Sequence, residues 1–399
     1  MSLPKPAAVA LPGRRLASLP PLSLYVHLPW CLRKCPYCDF NSHEARGDVP
    51  YARYVDALVA DLESVLPLVW GRRVYTVFIG GGTPSLFPPE EVARLLDAAR
   101  ARLPFDAEVE ITLEANPGTF ELARFRALRD AGVNRLSIGV QSFDGPSLKS
   151  LGRVHGADEA RVAVQAALEL FERVNVDLMY ALPGQSPEAA LADFSTALAL
   201  GARHVSAYQL TLEPNTYFHR YPPALPDEDC AEQIELAVHA RLAEAGLQRY
   251  EVSAFAAPGH RARHNLNYWT FGDYIGIGAG AHAKLSLPER ILRQVRHRQP
   301  QRFIEAALAG DALAEQHEVA AVQLGFEFML NALRLVEGVP VAMFAERTGL
   351  PLAAIVPALE VAEARGLLER DHLHLKPTAH GLRYLNDLVS LFLPDLPSR

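Results

Sequence analysis

Three cysteines fall within eight residues in the segment CLRKCPYC, at Cys31, Cys35 and Cys38. Three thiolates on one loop can hold three irons of a cubane cluster and leave the fourth iron without a protein ligand, open to bind substrate. The competing chemistry is a structural zinc closed by His27 or His43, since sites with three Cys and one His are common. Cys230 stands alone, and one trio plus one isolated thiol is no disulfide framework for 399 residues. A second segment, Gly80-Gly81-Gly82-Thr83-Pro84, lets backbone N–H groups approach a small polar ligand, although it lacks the lysine of a phosphate-binding loop.

Both segments follow short apolar runs that read as strands. From Leu22 to about Gly201 a β-branched run, a loop rich in Gly, Pro or Asn, and a stretch with helical spacing alternate repeatedly. Strands are expected at Ser23 to Pro29, Val74 to Ile79, Val109 to Leu113, Arg135 to Val140, Val174 to Met179 and His204 to Leu210. Between the first two, Tyr51, Tyr54, Val55, Leu58, Leu62, Val65, Leu66 and Val69 recur at three and four, as one buried helix face requires. Right-handed crossovers between parallel strands then predict a full or partial α/β barrel, or an open doubly wound sheet. Glu114 follows the third strand, Gln141 ends the fourth, Asp177 lies in the fifth, and Gln209 and Thr211 close the sixth. In a parallel barrel those ends share one mouth with the thiols and glycines.

The net charge of −7 gives no global field for nucleic acid or an anionic membrane. No run of eighteen apolar residues occurs, and the opening residues make a poor signal peptide, so a cytoplasmic location is expected. The expected division is a flexible leader over 1–20, a barrel with its extension over 21–290, and an arginine-rich connector with a C-terminal module over 291–399. In that module, helices followed by LLER and LHLK suggest a winged helix. Seven basic against ten acidic residues from Glu318 onward favour a lid or interaction role over DNA binding.

Taken together, YVHLPWCLRKCPYC, GGGTP, LEANP, RLSIGVQSF, LGRVH and VDLMYALPGQ resemble the radical S-adenosylmethionine superfamily, in its coproporphyrinogen dehydrogenase-like branch. The resemblance covers nearly everything after Pro20. It implies a partial (βα)6 barrel, with Cys31, Cys35 and Cys38 on a [4Fe-4S] cluster whose open iron chelates S-adenosylmethionine. Tyr25, Gly81, Gly82, Thr83, Glu114, Gln141, Arg153 and Asp177 would line the cofactor site. Radical chemistry would then be the cofactor's, while the protein orients it and excludes water.

Two departures separate the chain from the porphyrinogen-oxidising enzymes of that branch. Phe40 stands where they continue the motif with a cysteine, and only about twenty residues precede the first strand. Both features resemble the HemW-type heme chaperones, as does HNLNYW from His264 to Trp269. That resemblance implies heme as cargo, apo-hemoprotein acceptors (membrane-associated ones among the candidates), no nucleic acid, and room for a homodimer. His264 is the candidate heme ligand, with Tyr268 and Trp269 offering flat faces; the alternative for His264 is a satisfied buried histidine. Arg290, Arg293, Arg296, Arg298 and Arg302 could meet propionates or form a solvated face. His282 could approach the cofactor, and Cys230 reads as an ordinary thiol. The alternative function is oxygen-independent oxidation of coproporphyrinogen III.

Overall fold

The computed structural model describes residues 15–118 and 121–394; the first fourteen residues of the expected leader lie outside them. The segment just after is held down, with Leu16 buried and its N–H donating to the Pro288 carbonyl.

The alternating pattern becomes a mostly parallel sheet. Its central strands are β1 (Leu22–Leu28), β2 (Val74–Gly81), β3 (Phe105–Ala115), β4 (Arg135–Gln141), β5 (Arg173–Tyr180) and β6 (His204–Gln209). Neighbours pair in parallel in that order. Strand β1 is buried along nearly its whole length, as a strand covered on both faces must be. Helices α1 (Tyr51–Val65), α2 (Pro89–Arg102), α3 (Glu121–Asp130), α4 (Ala157–Leu170) and α5 (Pro187–Ala199) make the crossovers. On α1 the buried residues include Tyr54, Val55, Leu58, Leu62 and Val65, the stripe expected from its spacing. Burying that stripe and its counterparts supplies the largest core cluster.

The sheet extends further than the six expected strands. After α6 (Glu228–Glu244), β7 (Gln248–Arg249) and β8 (Ala254–Ala256) add an antiparallel edge beyond β6. Following α7 (Arg263–Trp269), β9 (Asp273–Ile277) joins the free side of β1 in parallel. An antiparallel run of β10 (His282–Ser286), β11 (Ile291–Arg296) and β12 (Leu313–Glu318) completes that side. The order is linear across twelve strands among the described residues, so the barrel is partial and open. The arginine-rich stretch expected to be a connector is thus a sheet strand. Its period-2 signal was masked by long charged side chains, one of which, Arg296, is fully buried against Asp61 of α1 at 3.1 Å.

The C-terminal module contains α8 (Ala321–Ala332), α9 (Val341–Thr348) and α10 (Val356–Ala364), with β13 (Val339–Pro340), β14 (Leu368–Arg370) and β15 (His374–Pro377) as a small antiparallel sheet. The single last helix expected from Thr378 to Phe392 is two short ones, Ala379–Arg383 and Leu385–Ser390, broken at Tyr384. Its core of Leu324, Phe328, Phe344 and Leu359 is completed from the barrel side by Phe271 and Ile291. No helix among the described residues is long and apolar enough to cross a membrane.

Asp61 also accepts the Gly278 N–H, so the pair joins α1 to the loop after β9. Removing one member of a buried pair strands its partner's charge. Asp61→Ala is expected to lower unfolding stability by about 3 kcal/mol or more, read from urea denaturation. A loss under about 1 kcal/mol would show the pair to be energetically idle.

Candidate functional site

At its carboxyl end β1 runs through Pro29 into Trp30–Cys31, which pairs in parallel with His43–Glu44 and closes the cysteine loop at its base. Within the loop, Cys31 is buried and Cys35 and Cys38 are half-buried; all three thiols are free. Burial pushes the Cys31 and Cys38 thiols up, and their neighbouring sulfurs add to it. Three thiols that repel one another as thiolates need positive charge among them. The Arg153 guanidinium supplies part of it, 3.6 Å from the Cys35 sulfur.

Of the two histidines that could close a zinc site, His43 keeps a buried Nε2 with no hydrogen-bond partner among the described residues. Among the described residues no three His, Cys, Asp or Glu side chains are gathered closely enough to hold one ion. Both ring nitrogens of His27 are engaged, Nδ1 with the Tyr25 hydroxyl at 2.9 Å and Nε2 with the Asn41 carbonyl at 2.9 Å. A cubane places one thiolate on each of three irons and needs no common centre, so the donor set fits an iron-sulfur cluster.

The glycine turn serves the loop rather than presenting free donors. The Gly82 N–H donates to the Leu28 carbonyl and the Thr83 N–H to the Trp30 carbonyl, both at 2.8 Å. A Cβ on Gly82 would stand 2.6 Å from the Trp30 oxygen, so only glycine lets the two backbones meet. Gly81, at φ +126°, would collide with Leu28 and His27 if it carried a side chain. Its N–H binds the Glu114 carboxyl on β3 at 3.0 Å.

A polar chain links turn and thiols: Asn116 donates to the Thr83 hydroxyl at 2.9 Å, and Arg153 donates to Asn116 at 2.7 Å and to the Gly139 carbonyl at 2.6 Å. Gln141, at φ +69°, turns its amide toward Gly139. Asn116 was not singled out from sequence, although it lies inside the LEANP segment. Asp177 sits deeper on β5, accepting from Ser137 and Asn175. Thus Tyr25, Gly81 and Glu114 line one cavity of about 440 Å³, while Thr83 and Arg153 form the chain leading from it to Cys35. Phe40, Tyr268, Tyr274, His282 and Arg298 also line that cavity.

His264 does not reach the cavity. It is 2% exposed, with Nδ1 bonded to the Thr76 hydroxyl at 2.8 Å and Nε2 to the Tyr268 hydroxyl at 3.2 Å. Burial lowers its pKa to about 3, keeping the ring neutral. Both nitrogens are engaged in this conformation, the arrangement of a satisfied buried histidine. Its ring stacks on Phe78 at 5.0 Å, and Phe78 stacks on Tyr25 at 6.2 Å. Trp269 is likewise occupied, beneath the Arg334 guanidinium at 4.2 Å. Of the arginines proposed for propionates, Arg296 is paired with Asp61 and Arg293 with Glu327 at 2.7 Å. Arg298 is exposed at the cavity rim. Asn41, also unremarked in the sequence, donates to the carbonyls of Ala279 and Arg298, each at 2.9 Å, and so ties the cysteine loop to the β9–β11 region.

Residues 25–195 match the radical SAM superfamily, and residues 320–384 match the HemN C-terminal domain. The heme chaperone HemW of Escherichia coli is 50% identical over 95% of this chain and all of that protein. The mouse radical S-adenosyl methionine domain-containing protein 1, mitochondrial, is 37% identical over 94% of this chain and 88% of its own length. Coproporphyrinogen III oxidase (HemN) from E. coli shares the architecture, with a TM-score of 0.80 at 23% identity, covering 94% of this chain and 90% of that one.

Burial, with Asp177 adding to it, raises the Glu114 carboxyl to about 8 in the unliganded protein. A carboxyl whose folded pKa lies above its unfolded value favours folding while protonated, and that contribution fades as pH rises through the folded value. The unliganded protein is therefore expected to lose stability between pH 4.5 and 8. Glu114→Gln should flatten that slope in urea-midpoint measurements. An unchanged slope would assign the pH dependence to another group.

Proposed function

The chain belongs to the HemW-type family within the radical SAM superfamily, and from that premise we propose that it is a cytoplasmic heme chaperone that binds heme and delivers it to apo-hemoproteins. The full-length kinship with the E. coli chaperone carries this reading. Cys31, Cys35 and Cys38 would hold the [4Fe-4S] cluster, and Tyr25, Gly81, Gly82, Thr83, Glu114, Gln141, Arg153 and Asp177 would surround S-adenosylmethionine. When bound, that pair supplies one-electron chemistry at the sulfonium.

The chain's own residues do the positioning. Arg153 offsets thiolate charge and, through Asn116, sets the Thr83 hydroxyl. Glu114 orients the Gly81 amide. Tyr268 and Tyr274, 4.5 Å apart edge to face, give the cavity an aromatic lining. That lining, with exposed Phe40 and Arg298, suits a flat macrocycle bearing carboxylates better than a small polar substrate. The likeness to HemN at 23% identity speaks for architecture and gives no separate support to porphyrinogen oxidation.

Anaerobically reconstituted protein is expected to bind heme stoichiometrically in a Soret titration and to pass it to an apo-globin faster than free heme exchanges. A combined Cys31→Ala, Cys35→Ala and Cys38→Ala variant is expected to lose the cluster's visible absorption. Cluster-loaded protein that neither binds heme nor speeds transfer would overturn the chaperone reading.

A further inference from the structure

Of the histidines around the cavity, His27 has both ring nitrogens bonded and His264 is sealed behind Tyr268. His282 differs. It opens β10, is exposed, and lines the cavity. Only burial and nearby charges act on its ring, with no hydrogen bond among the described residues. In the antiparallel ladder His282 faces Val295, and the Gly280 N–H donates to the His297 carbonyl, so His282 and Arg298 lie at the same end of one hairpin. That end is clasped to the cysteine loop by Asn41, whose neighbour Phe40 is 61% exposed at the same rim. No acid pairs with the Arg298 guanidinium among the described residues, which leaves it available to a carboxylate.

Resting on the chaperone reading, we propose that His282 is the axial ligand of the transported heme, with Arg298 binding a propionate and Phe40 lying against the ring. An exposed ligand at a cavity rim suits a carrier, because the iron stays within reach of an acceptor's own ligand. A histidine sealed behind Thr76 and Tyr268 would have to break two hydrogen bonds at each exchange. Burial and the nearby arginines lower the His282 pKa, which keeps its imidazole neutral and able to coordinate.

The test is spectroscopic and uses the full-length, cluster-loaded protein titrated with hemin. His282→Ala is expected to weaken heme binding about tenfold or more and to shift the Soret band and ferric EPR signature, with added imidazole restoring both. Because His282 is exposed and unbonded, the thermal midpoint should not move. If Ala nonetheless perturbs the fold, His282→Met gives the second reading, since a thioether ligand retains heme with a different spectrum. Arg298→Gln should weaken binding several-fold without changing the spectrum. A His282→Ala protein with wild-type spectrum and affinity would overturn the ligand assignment while leaving the chaperone reading in place. Wild-type protein without heme binding would remove both.

Discussion

The cysteine loop and the glycine turn touch backbone to backbone, and the remaining site geometry follows from that contact. Two ladder-like hydrogen bonds, from Gly82 and Thr83 to Leu28 and Trp30, leave no room for a Cβ. The contact fixes where the thiols emerge from β1 relative to Glu114 on β3. It also fixes Thr83, and through Asn116 it fixes the Arg153 guanidinium beside Cys35. Substituting the turn would therefore disturb ligand placement, charge balance and carboxyl orientation at once, because one seam of backbone sets all three.

Much of this was legible in the sequence, for a physical reason. Parallel strands buried on both faces write continuous apolar runs, and amphipathic crossovers write a 3.6-residue period, so β1 to β6 and α1 to α5 were found within a few residues. The thiol trio and the glycine turn were visible because their chemistry needs uncommon residue types close together. What escaped was decided by tertiary contacts. Arg293 and Arg296 looked like a solvated run, yet their strand threads between Glu327 and Asp61. HNLNYW looked like ligand chemistry, yet folding turned His264 inward onto Thr76 and Phe78. Asn41 and Asn116 carry no pattern of their own; only their partners reveal them.

The two walls of the cavity have different origins. One wall is built from the carboxyl ends of the parallel strands, the usual place for chemistry on such a sheet. The other comes from the β9–β11 addition, which pairs alongside β1 and contributes Tyr274 and His282. Asn41 bridges them, so the order of the cysteine loop and the position of the hairpin are linked by one amide side chain.

Phe271 and Ile291 belong to the barrel side by chain position, yet they complete the apolar interior of the C-terminal module. The two halves share a wall in the way adjoining rooms do. Cutting the chain between them would strip hydrophobic surface from both fragments, so neither is a freely transferable part. Exchange of this module among related proteins would require the shared wall to travel with it.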